Sequence, residues 1–258
     1  MLNTIVHGTP TEEPTLLIAH GLYGSGRNWG AVSKHLSANR QVVAVDMRNH
    51  GSSPRSSDNS YPAMASDLAD VAESVGAPVN LLGHSMGGKA SMVLALTRPE
   101  LISRLILVDI APVAYNHSQI QYVDAMKAVD LDQVTRRSDA DKLLAQSVEA
   151  PALRAFFLQS LEFGDSGARW RLNLDVLGRE MPKIVGFPSI EGRFDGPTIF
   201  ITGETSDYLI DDYWPRIRAL FPNATQEVIA GAGHWVHAEA LKPFVVCAES
   251  FLQRTNIT

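Results

Sequence analysis

One cysteine, Cys247, stands in 258 residues, so no intramolecular disulfide can form. It lies among Phe244, Val245, Val246 and Ala248 and reads as a small, inert core residue, not a thiol nucleophile. Long apolar runs are missing too: nothing approaches the roughly 20 residues that a bilayer-spanning helix requires. Met1-Leu2-Asn3-Thr4-Ile5-Val6-His7 carries neither a basic flank nor a sustained apolar stretch, so no secretory leader is expected and the expected address is cytoplasmic. Positive charge is in deficit, with 22 Lys and Arg against 28 Asp and Glu and a net charge of −6. A nucleic-acid surface needs the opposite balance, which excludes that class of partner. Internal repeats and low-complexity tracts are absent as well.

What is present is an ordinary globular composition, 45% hydrophobic and 19% charged, in a chain long enough for one large domain over 1–258. Short apolar runs at 15–19, 41–46, 79–82, 105–109, 198–202 and 225–230 alternate with helical patterns at 61–75, 86–97, 214–221 and 239–252. Strands buried on both faces read as continuous runs, and their alternation with helices predicts an α/β fold with a mostly parallel sheet. Residues 2–7 are expected to add an antiparallel edge strand. From 113 to 188 the strand signal stops, and helices are expected at 120–129, 139–148, 152–163 and 170–180. This stretch reads as a helical cap inserted between two sheet strands. Of its aromatic and methionine residues Tyr115, Tyr122, Met126, Phe156, Phe157, Phe163 and Trp170, most should pack the cap and a few should line a pocket.

The sharpest signal is Gly83-His84-Ser85-Met86-Gly87, a G-x-S-x-G motif between the apolar run 79–82 and a helical pattern. A serine becomes a useful nucleophile when a tight strand-to-helix turn lifts its hydroxyl clear of the sheet. That turn crowds the positions two before and two after, hence the glycines. The Met86 amide at the helix start can then face a developing oxyanion. Gly83 to Lys89 also spells G-x-x-x-x-G-K, a near phosphate-binding loop, and the run 105–109 resembles a strand ending in a metal-binding aspartate. Ala90 stands where the Mg²⁺-binding hydroxyl is required, so nucleotide binding is the remote alternative.

His20-Gly21-Leu22-Tyr23-Gly24 follows the run 15–19 and is expected to supply a second oxyanion donor, the amide of Leu22. Gly231-Ala232-Gly233-His234 follows the last strand, where the chain order Ser…Asp…His places the catalytic base. His234 is therefore the expected base, with His237 expected to pack or bond locally. A zinc site built on that pair would need a third protein ligand, and no carboxylate-rich motif offers one.

Five segments, GHSMGGKASM, HGLYGS, VDMRNHGSSP, LILVDIAPV and GAGHWVHAE, together resemble the small YbfF-type esterases of the α/β-hydrolase superfamily. The likeness runs over nearly the whole chain and is loosest through 113–188. It implies the α/β-hydrolase fold, a small-molecule substrate that is a short acyl ester or acyl thioester, and no cofactor or metal. It carries over Ser85 as nucleophile, His234 as base, and Leu22 and Met86 as backbone donors. Asp46, Arg48, Gly51 and Ser53 match a D-x-R-x-x-G-x-S pattern of the same superfamily and are expected, with His50, to fix loop structure.

The third member of the triad is open to two readings. The usual acid follows the penultimate strand in a G-x-x-D pattern, but Gly203-Glu204-Thr205-Ser206-Asp207 puts Ser206 at that position and the carboxylate one residue late. Asp109, closing the run 105–109, is the other place from which some hydrolases supply the acid. Asp109 is favoured over Asp207, with Ser206 as a supporting partner and Asp175 as a distant third. A carbon–carbon bond hydrolase or a cofactor-free haloperoxidase would share this fold and triad and stays as the alternative function. A haloalkane dehalogenase is excluded, because its nucleophile is an aspartate and position 85 is serine.

Overall fold

The computed structural model describes residues 1–165 and 167–254. The chain runs β1 (Thr4–His7), β2 (Leu16–Ala19), α1 (Gly30–Leu36), β3 (Val42–Val45), α2 (Tyr61–Ser74), β4 (Val79–His84), α3 (Met86–Thr97) and β5 (Ile102–Val108). There follow α4 (Ile120–Lys127), α5 (Arg137–Leu144), α6 (Pro151–Leu158), β6 (Leu161–Gly164), β7 (Gly167–Trp170), α7 (Leu174–Arg179) and α8 (Met181–Val185). The chain closes with β8 (Thr198–Gly203), α9 (Trp214–Leu220), β9 (Ala224–Ile229), α10 (Val236–Glu239) and α11 (Leu241–Gln253).

Seven strands form one sheet in the order β1-β3-β2-β4-β5-β8-β9, with β1 antiparallel to β3 and every other pairing parallel. Side chains alternate across a strand, so each central strand feeds two cores. Leu17, Val43, Leu81, Leu107 and Phe200 pack on the face that holds α2 and α3, with Leu68, Met92 and Val93. Leu16, Ile18, Val42, Leu82, Ile106 and Ile201 pack on the opposite face, with Leu36, Phe244 and Phe251 of α1 and α11. Burial on both sides is why these strands read as unbroken apolar runs.

The stretch between β5 and β8 departs from the all-helical expectation. The helix expected at 152–163 ends at Leu158, and the one expected at 170–180 starts at Leu174; between them β6 and β7 pair as an antiparallel hairpin. Leu161 is buried while Glu162 and Phe163 turn outward, Arg169 pairs with Glu162 across the ladder, and Gly167 takes φ +97° at the turn. A left-handed glycine closing four-residue strands favours a hairpin over continued helix. The helix expected at 239–252 is α11, which starts two residues later, after the short α10 ends at Glu239 and the chain breaks at Ala240. Pro243 has no amide to give the carbonyl four residues earlier and its ring crowds that carbonyl, so the helix restarts instead of running through. Helix α1 had no sequence counterpart.

Candidate active site

All the parallel strands end at one edge of the sheet, and the loops leaving β2, β3, β4, β5, β8 and β9 meet there. Ligand sites of open α/β sheets lie beyond the carboxyl ends of their strands. A cavity of about 290 Å³ opens at this edge, lined by Leu22, Ser85, Met86 and His234 among others.

Ser85 sits between β4 and α3 with φ +51° and ψ −118°, a strained left-handed conformation for a residue with a side chain. Its amide donates to Val108 O (3.1 Å) and its carbonyl accepts from Lys89 N (3.0 Å), so the turn is fixed from both sides. A Cβ at Gly83 would run into Ser91 Oγ and the Gly87 carbonyl, and one at Gly87 into the carbonyls of Ala19 and His20. Those two glycines let the elbow close against its own helix and against β2. The G-x-x-x-x-G-K coincidence dissolves here: Gly83 and His84 belong to β4 and Lys89 to α3, with no phosphate-sized loop between them. The Lys89 ammonium is buried, donates to Val185 O (2.9 Å) and Gly186 O (2.6 Å), and lies 4.5 Å from the Tyr115 ring. Burial brings its pKa down to about 7.

Asp109, fully buried and with φ +50°, leaves the end of β5. Its Oδ2 accepts from His234 Nδ1 (2.6 Å) and from Ser206 Oγ (2.5 Å), and its Oδ1 accepts from Gly203 N (3.2 Å). The first contact fixes the proton of His234 on Nδ1 and leaves Nε2 for the cavity. Asp207 is exposed, and Asp175 pairs on the surface with Lys127 (2.5 Å). The structure therefore brings Asp109, Ser206 and His234 together and leaves Asp207 and Asp175 outside.

His84 Nε2 donates to His234 O (3.0 Å), tying the elbow to the histidine loop. Burial first, then the neighbouring His234 and His237, hold His84 well below the usual histidine range. His237 lies flat on Trp29, with centroids 4.0 Å apart at 10°, and burial lowers its pKa to about 3. That is a packed neutral ring, as expected of His237. Cys247 is half-buried in α11, and burial pushes its thiol up to about 11.

The loop after β2 is held by two more neutral histidines. His20 Nδ1 donates to Gly21 O (2.7 Å) and His20 Nε2 accepts from Met47 N (2.9 Å). His50 Nδ1 donates to Arg48 O (2.9 Å) and His50 Nε2 accepts from Tyr23 N (3.2 Å). Burial depresses both, His50 to about 3. Among the described residues neither the Leu22 nor the Met86 amide has an acceptor. Asp46 accepts from Gly26 N (2.9 Å), Ser52 N (2.8 Å) and Asn3 Nδ2 (2.9 Å), and Arg48 Nε pairs with Asp67 (2.6 Å). These are the loop-fixing contacts expected of that segment.

Of the aromatic and methionine residues singled out in 113–188, Tyr115, Tyr122, Phe156 and Phe157 line the cavity, whereas Met126, Phe163 and Trp170 do not. Sequence reasoning missed Trp29, Tyr61 and Tyr208, each brought to the cavity by long-range packing with no local motif. Among the described residues, no group of three or more His, Cys, Asp or Glu side chains is placed to hold a metal, and no helix is long and apolar enough to cross a membrane.

Residues 14–241 match the family model described as alpha/beta hydrolase fold. The chain is 40% identical over 228 residues to esterase YbfF of Escherichia coli K12, covering 87% of each chain. It is also 40% identical over 248 residues to the sn-1-specific diacylglycerol lipase ABHD11 of Mus musculus, covering 93% of this chain and 81% of that one. A solved structure of a marine microorganism esterase superposes with a TM-score of 0.91 at 34% identity, covering 97% of this chain and 100% of that one.

Proposed function

The chain belongs to the α/β-hydrolase fold family, and from that premise we propose that it is a serine carboxylic ester hydrolase whose triad is Ser85, His234 and Asp109. The observation that carries this reading is the buried Asp109–His234 contact of 2.6 Å, with the strained Ser85 and His234 lining one cavity.

Ser85 Oγ attacks the acyl carbonyl carbon while His234 Nε2 takes its proton, and the oxyanion rests on the Leu22 and Met86 amides. Asp109 keeps the Nδ1 proton in place and stabilises the imidazolium. The tetrahedral species collapses, His234 protonates the departing alcohol or thiol, and an acyl group stays on Ser85. Water, deprotonated by His234, then attacks that acyl carbon, and Ser85 leaves with the proton. No step needs a cofactor or metal. We extend the proposal to short acyl thioesters and to a cytoplasmic address. Residues 1–258 act in it as one domain, with 113–188 as the cap that supplies Tyr115, Tyr122, Phe156 and Phe157 to the acyl-binding walls.

The test is hydrolysis of p-nitrophenyl esters and acyl-CoA thioesters of graded length by the wild-type protein and by Ser85→Ala. Loss of the nucleophile in a triad enzyme lowers kcat by on the order of a millionfold. A folded Ser85→Ala variant that keeps a tenth of the activity would end this reading.

A further inference from the structure

His234 has a second constraint besides Asp109. Tyr208 lies against its ring, with centroids 3.9 Å apart and planes 23° from parallel. One hydrogen bond at Nδ1 fixes a point on an imidazole but leaves the ring free to swing about that contact. A flat neighbour removes the swing, and with it the spread in where Nε2 points.

Tyr208 is itself held on every polar atom. Its hydroxyl meets His117 Nε2 (3.0 Å) and accepts from Gln119 Nε2 (3.3 Å). Its carbonyl accepts from Tyr115 Oη (2.6 Å), and its amide donates to Ser206 Oγ (3.4 Å), the hydroxyl that also donates to Asp109. Three of those partners, Tyr115, His117 and Gln119, come from the short stretch between β5 and α4. The same stretch also bonds the loop after β2, because Tyr23 Oη donates to Gln119 O (2.8 Å) and Tyr23 adjoins Leu22.

We propose that Tyr208 is a positioning residue for His234, its ring face setting the plane of the imidazole. This rests on His234 being the base. The stacking contact carries the effect, because the half-buried ring lies flat on the base while the hydroxyl's partner His117 is exposed and its bonds compete with water.

The experiment compares Tyr208→Phe, Tyr208→Leu and His117→Ala/Gln119→Ala with the wild-type protein, each shown folded by circular dichroism. Turnover of p-nitrophenyl butyrate gives kcat and KM separately. Tyr208→Leu should lose about tenfold to a hundredfold in kcat with KM moving less than about threefold, the cost of a misaimed base. Tyr208→Phe and the double alanine variant should stay within about threefold of wild type on both. In a His234→Ala background the Tyr208→Leu loss should vanish, since the two residues act through one contact. A second readout needs no turnover: the downfield proton resonance of His234 Nδ1–H, assigned by its loss in His234→Ala, should survive in Tyr208→Phe and broaden in Tyr208→Leu. Full kcat in folded Tyr208→Leu, equal damage in Tyr208→Phe, or a loss that persists without His234 would each overturn the proposal. Failure of the hydrolase reading itself would show separately, as no ester turnover by the wild-type protein.

Discussion

The turns that leave β5 and β8 stand side by side at the same edge of the sheet, yet they treat a carboxylate in opposite ways. After β5 the chain bends through a positive φ at Asp109 and keeps its side chain fully buried, with every contact on the carboxylate coming from His234, Ser206 or Gly203. After β8 the corresponding inward position is Ser206, and Asp207, one residue on, faces solvent. Water screens an exposed carboxylate, so displacement by one residue separates a carboxylate that bonds His234 from a surface charge. The β8 turn is not idle, because its hydroxyl and its Gly203 amide both bond the carboxylate supplied by β5.

The largest effect that could break this comparison is on turnover. Asp109→Asn should lower kcat at least about a hundredfold, with about ten-thousandfold as the ceiling known from a serine protease, a different protein. Asp207→Asn should change it by less than about threefold. Both are to be measured on the same ester with folding checked by circular dichroism, and the reverse ranking would move the acid to β8.

A second effect contrasts the base with its buried neighbours. His50 and His237 have folded-state pKa values near 3 and His20 and His84 are depressed in the same direction, all by burial foremost. The unfolded chain takes up these protons near pH 6.5 and the folded one does not. The stability they lend is therefore complete above pH 6.5 and is lost as the pH falls toward about 3. For His50 and His237, urea unfolding should show on the order of 3 kcal/mol lost for each by about pH 4.5. His237→Phe, which keeps the stack on Trp29, should flatten that slope. An unchanged slope would mean that His237 is not held neutral.

The smallest effect sharpens the role of the β8 turn. Ser206→Ala removes one of the hydrogen bonds on the Asp109 carboxylate and should lower kcat by about tenfold, with Asp109→Asn epistatic to it. Additive losses in the double variant would mean that Ser206 acts elsewhere.

The candidate triad was legible in the sequence because each of its residues is marked locally. Ser85 lies between glycines at a strand-to-helix junction, His234 follows a glycine pair at the end of the last strand, and the misplaced Asp207 directed attention to Asp109. These marks are backbone demands, and backbone demands leave residue types behind. The hairpin β6–β7 left too little: four-residue strands with one buried position each, Leu161 and Trp170, look like the end of the helix before them. Tyr208 left nothing, because its use lies in contacts with residues 26 and 91 positions away, and no local pattern encodes a stacking partner.

Every step of the proposed reaction depends on Ser85 as the nucleophile, made reactive by His234. The most direct test is intact and peptide mass spectrometry after treatment with a fluorophosphonate probe. One adduct per chain, on the peptide that holds Ser85, is predicted for the wild-type protein, with none in Ser85→Ala and labelling slowed to near background in His234→Ala. A wild-type chain that stays unlabelled, or an adduct that persists in Ser85→Ala, would contradict it.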